Sequence, residues 1–183
     1  MNKDIRQKIR ALTEDMGSVQ YEVFRGNNYK PNEFNISEIK ALYINDEITE
    51  DYNYDGDLNE IVIDKTGFLD SDLVRVEYIY HDFSDKEILG YIEAALTWIS
   101  IFSYKSKDYD VQDEGYIYPQ PDSHTEDLIA IIASILMKPN YSSYSSSSVT
   151  VRYPKDISKE KKIERLINKF NTGLGVNTII DIN

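Results

Sequence analysis

Ile5, Ile9, Leu12 and Met16 recur at helical spacing, so the chain opens on a short amphipathic helix over residues 3–16, with Gly17 placed to cap its end. From about residue 19 to 80 the period changes. β-formers occur in short runs, VQYEVF, ALYIN, EIVID and LVRVEYIY, separated by the turn-forming GNN, ND, YDGDLN and DSD. Runs of that length, without helical stretches between them, predict a small antiparallel sheet or barrel-like insertion and not βαβ units.

Helical periodicity returns over 84–104. Ser84 and Glu87 are spaced as a capping box, and Ile88, Tyr91, Ile92, Ala95, Ile99 and Phe102 form a stripe. Trp98 and Ile101 widen that stripe beyond what one-sided packing needs. Residues 105–122 read as a polar loop, because Pro119 and Pro121 forbid helix. A helix over 124–138 is apolar nearly all round, which predicts burial on every side, and Lys138-Pro139 ends it. NYSSYSSSS is low in complexity and reads as a flexible loop, VTVRY as a strand. A last helix spans 158–170, capped by Ser158, with Ile163, Leu166, Ile167 and Phe170 inward. VNTIID, inside 173–183, is a strand or an extended arm.

The fold class that follows is α+β: a small helical bundle with an inserted antiparallel β module. The helical core takes residues 1–17 and 83–172, the insertion 18–82, and the C-terminal arm 173–183. Ile88, Ile92, Trp98, Ile99, Ile131, Ile135 and Leu166 are the candidates for packing between helices or subunits.

Composition adds three exclusions. A formal net charge of −12 repels phosphates and argues against sequence-specific nucleic-acid binding, although not against a wall that DNA must slide past. The absence of cysteine removes disulfides, thiolate zinc sites and a cysteine nucleophile. The longest apolar run, LIAIIASILM, is about half of the ~20 residues a bilayer requires. MNKDIRQKIR carries no signal-peptide core, so a cytoplasmic site of synthesis is expected. Fifteen tyrosines, against six phenylalanines, suit strands and protein contacts, because each ring buries apolar area while its hydroxyl finds a polar partner.

The candidate chemistry is sparse. Asp51, Asn53, Asp55 and Asp57, with Gly56, fill the first half of an EF-hand-type calcium loop, but Val62 stands where a bidentate acid belongs. The flanking strands favour a hairpin whose Asp, Gly and Asn suit positive φ. His81 and His124 lie far apart in sequence, without metal-ligand spacing. Asp108, Asp110, Asp113 and Glu114 cluster in the polar loop, where a solvated face competes with acid–base chemistry. No G-x-S-x-G, Walker loop or G-x-G-x-x-G occurs. The expectation is a protein with no cofactor, no metal and no catalytic residue.

LYIND (42–46), DYNYDGDLNEIVI (51–63) and SDLVRVEYIY (71–80) resemble the strand, hairpin and strand found in structural proteins of tailed bacteriophages. SDKEILGYIEAAL, LIAIIASILMKPNY and VTVRYPKDISKEKKIERLINKF are similar to the helical parts of their head–tail connector (adaptor, or neck) proteins. The resemblance covers most of 40–171 and the first helix, while the last ten residues match nothing in that pattern. It implies a structural virion protein at the portal vertex. Its partners would be the portal protein, neighbouring copies in a homo-oligomeric ring (a dodecamer), and the next neck or tail protein. DNA would pass through without specific binding, and no membrane would be involved. Two alternatives remain: another tail or baseplate protein, and a small carboxylate- or metal-dependent enzyme.

Overall fold

The structure is a computed structural model that describes residues 5–26, 28–64, 69, 72–103, 108–112, 116–145, 150–172 and 180–181. In chain order its elements are helix α1 (Ile5–Leu12), strands β1 (Ser18–Arg25), β2 (Ile36–Ile44), β3 (Glu47–Thr49), β4 (Tyr52–Asp55), β5 (Glu60–Ile63) and β6 (Leu73–Tyr80), helix α2 (Asp85–Phe102), strands β7 (Asp110–Val111) and β8 (Ile117–Tyr118), helix α3 (Ser123–Met137), strands β9 (Ser143–Ser145) and β10 (Thr150–Arg152), helix α4 (Lys159–Asn171) and strand β11 (Ile180–Asp181). The fold is α+β, and the chain divides into two compact units, Met1–Asp15 with Asp85–Asn183, and Met16–Ser84.

The first unit is built around α3, whose apolar circumference is enclosed as its sequence predicts. Every residue from Thr125 to Met137 is buried except Glu126 and Leu136, and α3 packs against α1, α2 and α4. Asp122 caps its start, accepting the Thr125 amide at 2.8 Å, and that bond holds the Asp122 carboxyl below the usual carboxylate range. Burying α3 also buries Asp127. Lys8 on α1 answers it, donating to Asp127 and Glu126 at 2.7 Å each. Burial opposes the Lys8 charge, but the hydrogen bonds and charges of the two carboxylates outweigh it and raise its pKa.

Helix α1 is shorter than its apolar period suggests. It stops at Leu12, and Met16 is 71% exposed instead of inward. Glu14 at φ 58° reverses the backbone, the Asp15 amide donates to Arg10 O and the Glu14 amide to Ala11 O. That is a Schellman ending with Glu where glycine is usual. Gly17 has positive φ as well, but it lies beyond the cap. Arg10 then binds Asp15 at 2.5 Å and Asp85 at 2.7 Å, where the chain leaves and rejoins this unit, and Arg6 joins it on Asp85.

Three other segments depart from the sequence reading. NYSSYSSSS is not all loop. Ser143–Ser145 forms β9, antiparallel to β10, because the Tyr144 ring is fully buried and its hydroxyl reaches Lys138 O at 2.6 Å. Within the polar stretch, β7 and β8 form a short antiparallel ladder. Phe102, placed in the α2 stripe, is 44% exposed at the helix end, where it stacks on the half-buried Trp98. Ile180 and Asp181 pair parallel with Val151 and Arg152 of the same chain; 173–179 and 182–183 lie outside the described residues.

The second unit is a four-stranded antiparallel sheet in the order β1-β6-β2-β3. Asn45 and Asp46, both at positive φ, make the two-residue turn from β2 to β3, a type I′ pattern that suits the strand twist. One face of the sheet is covered. Leu42, Ile44, Val74, Val76 and Tyr78 pack with Tyr29 and with Ile61 of the β4–β5 hairpin into a single core.

Candidate interaction surface

The calcium-like stretch is a hairpin. Tyr52–Asp55 pairs antiparallel with Glu60–Ile63, and Asp51 O accepts the Asp64 amide at 2.9 Å. Asp55 turns its carboxylate onto the Asp57 and Leu58 amides, at 3.0 Å each, the Asx-turn use of an aspartate. The positive φ falls on Asn59, not on Gly56. Asn59 is buried. It accepts the Tyr54 hydroxyl at 2.8 Å and donates to Pro31 O and Glu33 O at 3.0 and 3.1 Å, pinning the hairpin to the sheet unit. Among the described residues, no group of three or more His, Asp or Glu side chains is arranged to hold a metal ion.

Asp108 and Asp110 line a cavity of about 490 Å³ with Glu93, Thr97, Ser100 and Tyr109. Asp113 and Glu114 lie outside the described residues. His81 follows β6, its amide donating to Asn35 O, and His124 is exposed in the first turn of α3, whose cap is Asp122. The packing candidates Ile88, Ile92, Ile99, Ile131, Ile135 and Leu166 are all buried inside the first unit. They hold the subunit together and are not offered to a partner.

What the structure does offer is the outer face of the sheet. Register fixes its membership. Val23, Arg75, Tyr43 and Ile48 form one row across the four strands; Tyr21, Glu77 and Ala41 form the next, and Val19, Ile79 and Glu38 a third. Val19, Tyr21, Val23 and Ile48 are 49, 63, 58 and 67% exposed. Arg75 and Glu77 on this face have local partners. Arg75 stacks 4.6 Å over the Tyr43 ring and pairs with Asp46 at 3.2 Å. Glu77, by its charge and a hydrogen bond to the Tyr21 hydroxyl, raises that tyrosine's pKa.

The same register turns Glu22 inward. It is 8% exposed, accepts the Tyr78 hydroxyl, and accepts the Asn32 amide at 3.0 Å and the Asn32 side chain at 3.1 Å. Strand β1 therefore faces Val19, Tyr21 and Val23 to solvent and buries a carboxylate beside the core-packed Phe24, largely the reverse of ordinary alternation. Nothing in the run VQYEVF signals that inversion.

Lys162 was also invisible to sequence reasoning. It is 3% exposed on α4, donates to Pro139 O at 2.5 Å and Tyr141 O at 2.7 Å, and lies within 6 Å of two tyrosine rings, 5.9 Å from Tyr144 and 5.7 Å from Tyr153. It acts as a post under the carbonyls that follow α3, where a cation also suits the helix dipole. Burial lowers its pKa from the ordinary lysine value.

Among the described residues, no helix is long and apolar enough to cross a membrane. Compared with known proteins, the chain matches no family model and no curated protein.

Proposed function

We propose that the chain is a structural subunit of a bacteriophage neck: a head–tail connector that docks on the portal and joins capsid to tail, in a ring of about twelve copies. The observation that carries the reading is where the connector-like segments fall. LYIND runs from β2 into the I′ turn, DYNYDGDLNEIVI is the β4–β5 hairpin, SDLVRVEYIY contains β6, and SDKEILGYIEAAL opens α2. These segments follow one another in a single chain order, a β unit inserted between the first two helices of a bundle.

Two physical features support the same reading. The helical unit encloses its own core around α3, whereas the β unit leaves an apolar sheet face open, as a subunit that contacts a different protein in the assembly requires. The net charge of −12 suits a channel that DNA traverses, because attraction to phosphates would retard it. In this reading the protein has no catalytic step, its place is the portal vertex of the virion, and its partners are the portal, its own copies and the next neck or tail ring.

The test is mass in solution by light scattering after size-exclusion chromatography, alone and with the portal of the same phage. Assembly into a ring of about twelve, or recruitment of about that number to portal, is the expected result. A monomer that ignores portal refutes the proposal.

A further inference from the structure

The charge of the chain is not spread evenly. Met16–Ser84 contains fifteen acidic against five basic residues, a net −10, while the remainder, seventeen against fifteen, contributes only −2. The unit with the open sheet face is therefore the one that carries nearly all of the charge. At its edge is β1, eight residues long and, among the described residues, hydrogen-bonded to a strand (β6) on one side only. Edge strands of that length are normally protected by charge, proline or a bulge. Here the solvent face of the edge strand reads Val19, Tyr21 and Val23, with a charge, Arg25, only at its end.

We propose that the outer face and β1 edge of this sheet are a docking surface for a basic, strand-forming segment of another protein. Alternate apolar side chains of that segment would lie beside Val19, Tyr21 and Val23 on the outer face, and its Lys or Arg residues would meet the acidic field of the unit. Strand addition supplies backbone hydrogen bonds to the free edge, and the apolar row supplies register. Charge decides the kind of partner. A second copy of this unit would bring −10 against −10, and a nucleic acid would be repelled likewise, whereas a cationic chain is attracted over a Debye length of ~8 Å or more. The inference rests on the β unit alone and does not depend on the connector reading.

The experiment uses the full chain and an eight-residue peptide of alternating valine and lysine, titrated by calorimetry. Two peptides serve as controls: a block isomer with its valines and lysines segregated, and an alternating valine–glutamate peptide. The alternating basic peptide is expected to bind about tenfold more tightly than either control, and to weaken as salt rises. Val23→Lys should reduce that affinity about tenfold, with thermal unfolding unchanged because the position is already exposed. Val62→Lys, at an exposed valine of β5 outside the outer face, should leave it intact. Equal binding of the block isomer would reduce the effect to counter-ion attraction and overturn the proposal. So would an unaffected Val23→Lys variant, preference for the acidic peptide, or self-association through this face that Val23→Lys abolishes.

Discussion

Replacing Lys162 with methionine keeps most of the side-chain volume and removes only the ammonium. Two effects then oppose each other. The carbonyls of Pro139 and Tyr141 lose their donor, each at about 1–3 kcal/mol for an unsatisfied buried acceptor. Against that, the desolvation of a buried cation is relieved, typically several kcal/mol before its hydrogen bonds are counted. The two short donor bonds and the two flanking tyrosine rings compensate most of that desolvation in the native protein. The loss should therefore win by ~2 kcal/mol, a fall in Tm of roughly 4–8 °C for a chain of this size. The pH dependence gives a second, independent reading. Because burial holds the folded Lys162 pKa below its unfolded value of 10.5, the unfolded chain binds more protons between those two values. Stability contributed by this site thus rises with pH through that window. Denaturant unfolding of both proteins from pH 7 to 10.5 should show the wild type gaining on Lys162→Met as pH climbs. The tyrosines titrate in both proteins and largely cancel from the difference. A variant as stable as the wild type at pH 7, with a flat difference profile, would refute the assignment of Lys162 as the post beneath α3.

Asn59→Ala removes three hydrogen bonds and puts a non-permissive residue at φ 50°; a loss of about 2–3 kcal/mol is expected in urea unfolding, with Asn59→Gly losing less because it relieves the backbone strain. Tyr78→Phe deletes the donor to Glu22 and should cost roughly 1–2 kcal/mol at pH 7. Burial, and then Glu22, raise the folded Tyr78 pKa above 10, so this contribution is complete below the unfolded value and disappears as pH rises beyond it, which unfolding curves at pH 8 and 10.5 would register. Calcium, titrated calorimetrically to about 1 mM, should give no heat attributable to the 51–57 stretch, because Asp55 is engaged with backbone amides; millimolar or tighter binding that Asp55→Ala abolishes would contradict the hairpin assignment.

Local pattern determined much of this protein. The all-round apolar run of α3 could only be a buried helix, and the strand runs between 19 and 80 announced an antiparallel unit, because period and length depend on neighbours in sequence. Ser158 was legible as the cap of α4, although Asp122 takes that role for α3 and Met16 falls outside α1 because the chain reverses at Glu14. Low complexity misled at Tyr144: serines hide a strand when one aromatic ring has a buried place to go.

The surface was decided elsewhere. Alternation in VQYEVF separates Val19, Tyr21 and Val23 from Gln20, Glu22 and Phe24, but it cannot say which set faces the core. That choice is made by pairing with β6, roughly fifty to sixty residues away, and by Tyr78 and Asn32, which give Glu22 the partners that make its burial tolerable. Lys162 is the same case. On a helical wheel it is one lysine in KEKKIERLINKF, and only the carbonyls of Pro139 and Tyr141 distinguish it from its neighbours. Sequence periodicity fixes which residues share a face; long-range contacts fix which face is inside, since a buried charge is stable only where distant groups arrive to satisfy it.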